Sequence, residues 1–300
     1  MASQPLRVLV LTAFGPDEAS DGSGELGRWL DGYDEFAHEI TVSGVPTPVW
    51  ITDHGVGVTA TGIGPARAGV SVAALLATDA LDTDNTYLLT AGVAGISPHA
   101  GTVGSVVLAD HIVNWDAKMR YDGGTTVEPW GFGPSQSYEL NTILVTAARG
   151  AADGVDLRDS AAAREHRTKY DAPPATDPPR LETGTSVAGA DFWYGHTRAA
   201  AVESLVSRYD AGTYATTECE GFATAVACDR FGALDRYLSI RAASNFDRPP
   251  VNADEAGEVD SEWRMQGPSC DNAYRVGRAV ADTIANNWET WHDEPPAPKE

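Results

Sequence analysis

The chain has 300 residues and a mass of 31.7 kDa, and its 43 acidic against 21 basic residues give a formal net charge of −22 with only three lysines. A surface of that sign repels nucleic acid and anionic membranes, and its acid-rich, lysine-poor make-up matches a halophilic, salt-screened surface. No apolar run approaches the roughly 20 residues of a membrane-spanning helix, and the length fits one α/β domain, expected over residues 1–290 with an acidic, Pro-rich and disordered tail over 291–300.

In chain order, residues 7–13 form a short β-branched and leucine run that predicts a first strand, ending in the turn Phe14-Gly15-Pro16-Asp17. A second strand is expected over 55–61, followed by the turn Gly62-Ile63-Gly64-Pro65 and a helix over 66–80. The pattern repeats with a strand over 86–90, a glycine turn over 91–95 and a further strand over 104–113. Residues 121–137 and 161–179 read as insertions or lids, the proline-rich stretch 171–179 as a loop without regular structure. Order returns with a strand over 183–188, the segment Asp191-Phe192-Trp193-Tyr194, and helices over 198–208 and 217–231. A strand over 238–242 delivers Ser244 and Asn245, and an amphipathic helix over 271–288 closes the fold.

Several chemistries are excluded. Gly62-Ile63-Gly64 lacks the third glycine of a dinucleotide fingerprint, no phosphate-loop lysine follows any glycine turn, and no GxSxG elbow occurs. The seven histidines are scattered, and Cys219, Cys228 and Cys270 form no zinc spacing and cannot all pair. The expectation is a cytoplasmic protein without metal or organic cofactor.

The segment Glu218-Cys219-Glu220-Gly221 places a carboxylate before a helix of small residues. Two readings stand: Glu220 simply favours the helix N-terminus, or it enters the packing beneath that helix and needs a polar answer there, as in a ribosyl site. Glycine turns at strand ends let the backbone approach an anion or a sugar closely.

Taken in order, Gly62-Ile63-Gly64, Thr90-Ala91-Gly92-Val93-Ala94-Gly95, Ala190-Asp191-Phe192-Trp193-Tyr194, Glu218-Cys219-Glu220 and Ser244-Asn245 resemble the nucleoside phosphorylase superfamily. The likeness is closer to its purine nucleoside permease family and runs over residues 7–288. It implies a three-layer αβα sandwich around a mixed central sheet, an enzyme that releases the base of a purine nucleoside to phosphate or water, and a homo-oligomer. The alternative is a nucleoside-binding, uptake-associated protein without turnover.

The resemblance also implies roles. Glu220 accepts hydrogen bonds from the ribose hydroxyls, Cys219 lies under the sugar, Trp193 stacks on the base with Tyr194 beside it, and Asn245 meets the purine near N7. Asn245 cannot deliver a proton at ordinary pH, so Asp247 is a candidate acid, and 6-oxopurines are the first substrates. Where many phosphorylases carry an arginine and a serine for phosphate, this chain has Thr90 and Val93. Arg67, Arg248 and the amides around Gly15 and Gly92 are candidates to compensate if phosphate is a co-substrate. The other route is hydrolysis, with Asp17 placed like a water-activating carboxylate.

Overall fold

The computed structural model describes residues 4–15, 24–121, 126–251, 253 and 266–297, so Asp17 lies outside the described residues. Its strands are β1 (Gln4–Pro5), β2 (Val8–Thr12), β3 (His38–Ile40), β4 (Val49–Ile51), β5 (Val56–Ala60), β6 (Leu81–Asp82) and β7 (Tyr87–Ile96). They continue with β8 (Val106–Asn114), β9 (Lys118–Tyr121), β10 (Thr126–Pro129), β11 (Ser137–Glu139), β12 (Leu181–Ala188), β13 (Tyr214–Glu218) and β14 (Tyr237–Phe246). The helices used below are α1 (Gly24–Gly32), α2 (Pro65–Ala77), α3 (Thr142–Ala151), α4 (Ala161–Arg167), α5 (Pro173–Thr176), α6 (His196–Arg208), α7 (Gly221–Arg230), α8 (Gln266–Asn286) and α9 (Trp288–Trp291).

The central sheet has the order β11-β8-β12-β13-β7-β2-β5-β4-β3 and mixes parallel with antiparallel pairs. β2 lies between β5 and β7, parallel to both, and Val8, Leu9, Val10 and Leu11 are all buried, as expected of a strand covered on both faces. β14 pairs with β7 in parallel and with β8 antiparallel. Because β8 also pairs β12, β12 pairs β13 and β13 pairs β7, these five strands form a closed circuit of pairings. The result is the expected mixed α/β, αβα architecture with half of its sheet curled on itself. α2 packs on α7, while α8 packs on α1, α3 and the central strands.

Three elements differ from expectation. β7 does not turn at residues 91–95 but runs through both glycines to Ile96. The helix expected over 217–231 starts only at Gly221, because Thr217 and Glu218 end strand β13, whose Tyr214, Thr216 and Thr217 suit a pleated surface better than a helix. In the stretch read as loop, Pro173–Thr176 makes one helical turn, with proline at the helix start where its missing N–H costs nothing. The folded part also passes the expected boundary, since Trp291 packs in the main core and its carbonyl accepts a hydrogen bond from the Tyr87 hydroxyl.

Candidate active site

The ends of β2, β7, β12, β13 and β14 and the turn before α2 converge on a cavity of about 420 Å³, within the usual range for a small-molecule site. Its lining includes Phe14, Glu25, Ile63, Val93, Trp193, Cys219, Glu220, Arg241 and Asn245.

At its heart a single guanidinium pairs with two carboxylates and feels the charge of a third. Arg241, on β14 and 1 % exposed, has Nη2 at 2.6 Å from Glu218 Oε2 and 3.3 Å from Glu220 Oε2. Glu25, 3 % exposed, accepts hydrogen bonds from Ala13 N at 2.7 Å and Val93 N at 2.8 Å. Glu218 accepts from the amides of Glu220 and Gly221, so it, rather than Glu220, caps α7. Glu220 is thereby released from the helix start, and its Oε1 accepts from Gly64 N at 2.8 Å.

Glycine makes this convergence possible at two positions. Gly64 has φ 94°, a conformation costly for any side chain, and that conformation points its amide at Glu220. At Gly92 a Cβ would collide with the Glu25 carboxyl and stand 2.9 Å from Arg241 Nη1.

The charges are tuned by burial and by one another. Burial raises the Glu25 carboxyl from 4.5 to about 7, opposed by Arg241. Burial likewise raises Glu220, again opposed by Arg241. Burial works against the Arg241 charge, yet Glu218, Glu220 and Glu25 together hold its guanidinium above the usual range. Burial, then Glu220 and Glu218, push the Cys219 thiol up to about 12, so it sits in the cavity as a neutral group.

Of the residues expected from sequence, Glu220, Cys219, Trp193 and Asn245 come together on the cavity, and Gly92 backs the carboxylate cluster. The Asn245 amide is oriented by its neighbours: Nδ2 donates to Phe246 O at 2.7 Å and Oδ1 accepts from the Ser244 hydroxyl at 3.0 Å. Tyr194 is half-buried and does not line the cavity.

The expected acid and phosphate groups fall elsewhere. Asp247 is fully buried off the cavity, held by Arg248 Nε at 2.7 Å and the Tyr214 hydroxyl at 3.0 Å. Arg248 is spent on Asp247 and on Glu203 at 2.7 Å. Thr90 lies in the strand interior, its hydroxyl 2.9 Å from that of Tyr237. Arg67 and Gly15 line a neighbouring, mostly apolar cavity of about 900 Å³ that shares Ala13 with the first.

Sequence reasoning missed Glu25, Glu218, Arg241 and Phe192, an aromatic that lines the cavity while 54 % exposed. One signal was available: Arg241 interrupts the apolar strand Leu238-Ser239-Ile240, and a buried cation requires carboxylates nearby.

A sequence profile described as "Purine nucleoside permease (NUP)" matches residues 5–296. The chain belongs to the purine nucleoside permease family. A probable purine nucleoside permease of Schizosaccharomyces pombe is 29 % identical, with 89 % of this chain and 88 % of that protein covered. Among solved structures, futalosine hydrolase of Helicobacter pylori superposes with a TM-score of 0.63 at 17 % identity, covering 93 % of this chain and 98 % of that one. The 5'-methylthioadenosine/S-adenosylhomocysteine nucleosidase of Neisseria meningitidis gives 0.63 at 18 %, covering 92 % and 99 %. This member of the purine nucleoside permease family thus shares its fold with that hydrolase and that nucleosidase. No helix among the described residues of this family member is long and apolar enough to cross a membrane.

Proposed function

We propose that this chain binds purine nucleosides and cleaves their N-glycosidic bond with water as acceptor, giving free base and ribose. The observation that carries the reading is the cluster of Glu25, Glu220 and Arg241 on the cavity. Cleavage passes through a ribosyl cation resembling the oxocarbenium of glycoside hydrolysis, and carboxylates beside the sugar stabilise that charge as it develops. Glu220 has lone pairs left for the ribose hydroxyls after its bonds to Gly64 and Arg241.

Glu25 is the general base. With a pKa of about 7 it is suited to take a proton near neutrality. A water held between Glu25, Glu220 and Arg241 attacks C1' as the C1'–N9 bond breaks; one proton passes to Glu25, and the electron pair of the bond leaves with the base. Asn245 meets the departing purine at N7, either donating to N7 or accepting from N7–H, and the first substrates are 6-oxopurine nucleosides.

Charge supports water as the acceptor. Arg241 is the one cation among the described residues lining the cavity, and three carboxylates surround it. A phosphate dianion would find no unneutralised partner there and would meet net negative charge. A second reading, nucleoside binding linked to uptake without turnover, draws on the family's description.

Incubation with inosine, guanosine and adenosine, with and without phosphate in high salt, tests both. Base release independent of phosphate is expected. Release that requires phosphate would overturn the acceptor, and tight binding without release, unaltered by Glu220→Gln, would favour the second reading.

A further inference from the structure

The segment that carries Phe192 and Trp193 is fastened from outside the cavity, by the turn that leads from β8 into the β9–β10 hairpin. Asp116 Oδ2 accepts a hydrogen bond from Ala190 N at 2.9 Å, and Asp116 Oδ1 sits 2.8 Å from where a Cβ on Gly189 would be, so a side chain there would push the carboxylate aside. Trp115 N donates to Ala188 O at 2.8 Å, and the Trp115 ring packs on Trp193 with centroids 6.2 Å apart. Behind it, Lys118 Nζ lies 3.5 Å from the Trp115 ring centroid and donates to Trp115 O. Lys118 is itself buried, and a desolvated cation over an indole face is held more firmly than an exposed one.

Neither indole N–H of this pair has a hydrogen-bond partner among the described residues. The orientation of Trp193 is therefore left to packing and to the backbone on which it stands. That backbone is anchored by Gly189 N on Glu218 O at 3.0 Å, by Gly195 N on Asp247 O at 2.9 Å, and between them by Ala190 N on the Asp116 carboxylate. The hairpin is tied in turn to α6, through Arg208 on Glu128 at 2.7 Å and Trp130 N on the Tyr209 hydroxyl at 3.0 Å.

We infer that Asp116, backed by the Lys118–Trp115 pair, positions the Asp191-Phe192-Trp193 segment, so that a hairpin outside the cavity sets how tightly the base of the nucleoside is held. The base as ligand rests on the reading above. Asp116 and Lys118 are positioning residues: neither lines the cavity, and neither takes part in bond cleavage.

Three variants test it: Asp116→Ala, Asp116→Asn and Lys118→Met. The Asp116→Ala protein should raise KM for nucleoside about threefold to tenfold, the worth of one hydrogen bond, with kcat within twofold of wild type. Asp116→Asn keeps an acceptor oxygen and should restore KM, while Lys118→Met should raise KM and leave kcat unchanged. Hydrogen exchange at the Ala190 amide reads the tether without any nucleoside, and it should quicken in Asp116→Ala but not in Asp116→Asn. Unchanged KM and unchanged Ala190 exchange in Asp116→Ala would overturn the inference, as would an equal defect in Asp116→Asn. A wild-type protein that neither binds nor cleaves nucleosides would instead overturn the reading above, with Ala190 exchange still deciding whether Asp116 holds the segment.

Discussion

At the scale of single residues, Glu25 sets the pH dependence. Its folded pKa of about 7 stands above the ordinary 4.5 because burial disfavours the charge. As general base it works ionised, so kcat/KM should climb with pH and level off above about 7; Glu25→Gln should lose about 10²- to 10⁴-fold and flatten the profile. The stability sign runs the other way. Between pH 4.5 and 7 the native state keeps a proton that the unfolded chain has lost, so stability from this group falls as pH rises through that window. Wild type should therefore lose about 2–3 kcal/mol between pH 5 and pH 8 that Glu25→Gln does not lose, measured by urea unfolding at both values. Glu220, Cys219, Trp193 and Asn245 were legible because each sits in a short motif at a strand end. Glu25 was not, because it sits in none of the motifs, and its partners Val93 and Arg241 are remote in sequence.

At the scale of elements, β7 is where the sequence misleads. Its two glycines were read as a turn, yet the strand continues and Gly92 serves to admit the Glu25 carboxyl and the Arg241 guanidinium. Gly92→Ala should keep the strand, cost about 1–3 kcal/mol by overpacking, and lower kcat/KM by more than the stability loss explains. Circular dichroism, unfolding and kinetics on that variant check it; wild-type kinetics would show that the cluster tolerates a methyl group there. The boundary at β13 and α7 was missed for a different reason. Glu218 and Glu220 are two residues apart, and only the fold reveals that the first caps the helix while the second turns away to Gly64. From the sequence, either carboxylate fits either task.

For the whole molecule, the alternation of strands and helices was legible in the sequence and the αβα sandwich was implied by the family resemblance, but the closed circuit β8-β12-β13-β7-β14 was not legible, because it depends on which distant strands meet. That closure brings Arg241 of β14 to the carboxylates of β13 and α1. The net charge of −22 belongs to this scale too. Raising potassium chloride from about 0.1 to 1 M shortens screening from about 10 to 3 Å, so Tm should rise with salt; a fall would count against self-repulsion as the cost of this surface. The central claim, that water is the acceptor at the Glu25, Glu220 and Arg241 cluster, is met most directly by mass spectrometry of the sugar formed from inosine in ¹⁸O-labelled water with phosphate present. The account predicts ribose carrying one ¹⁸O from the solvent, and ribose 1-phosphate in its place would contradict it.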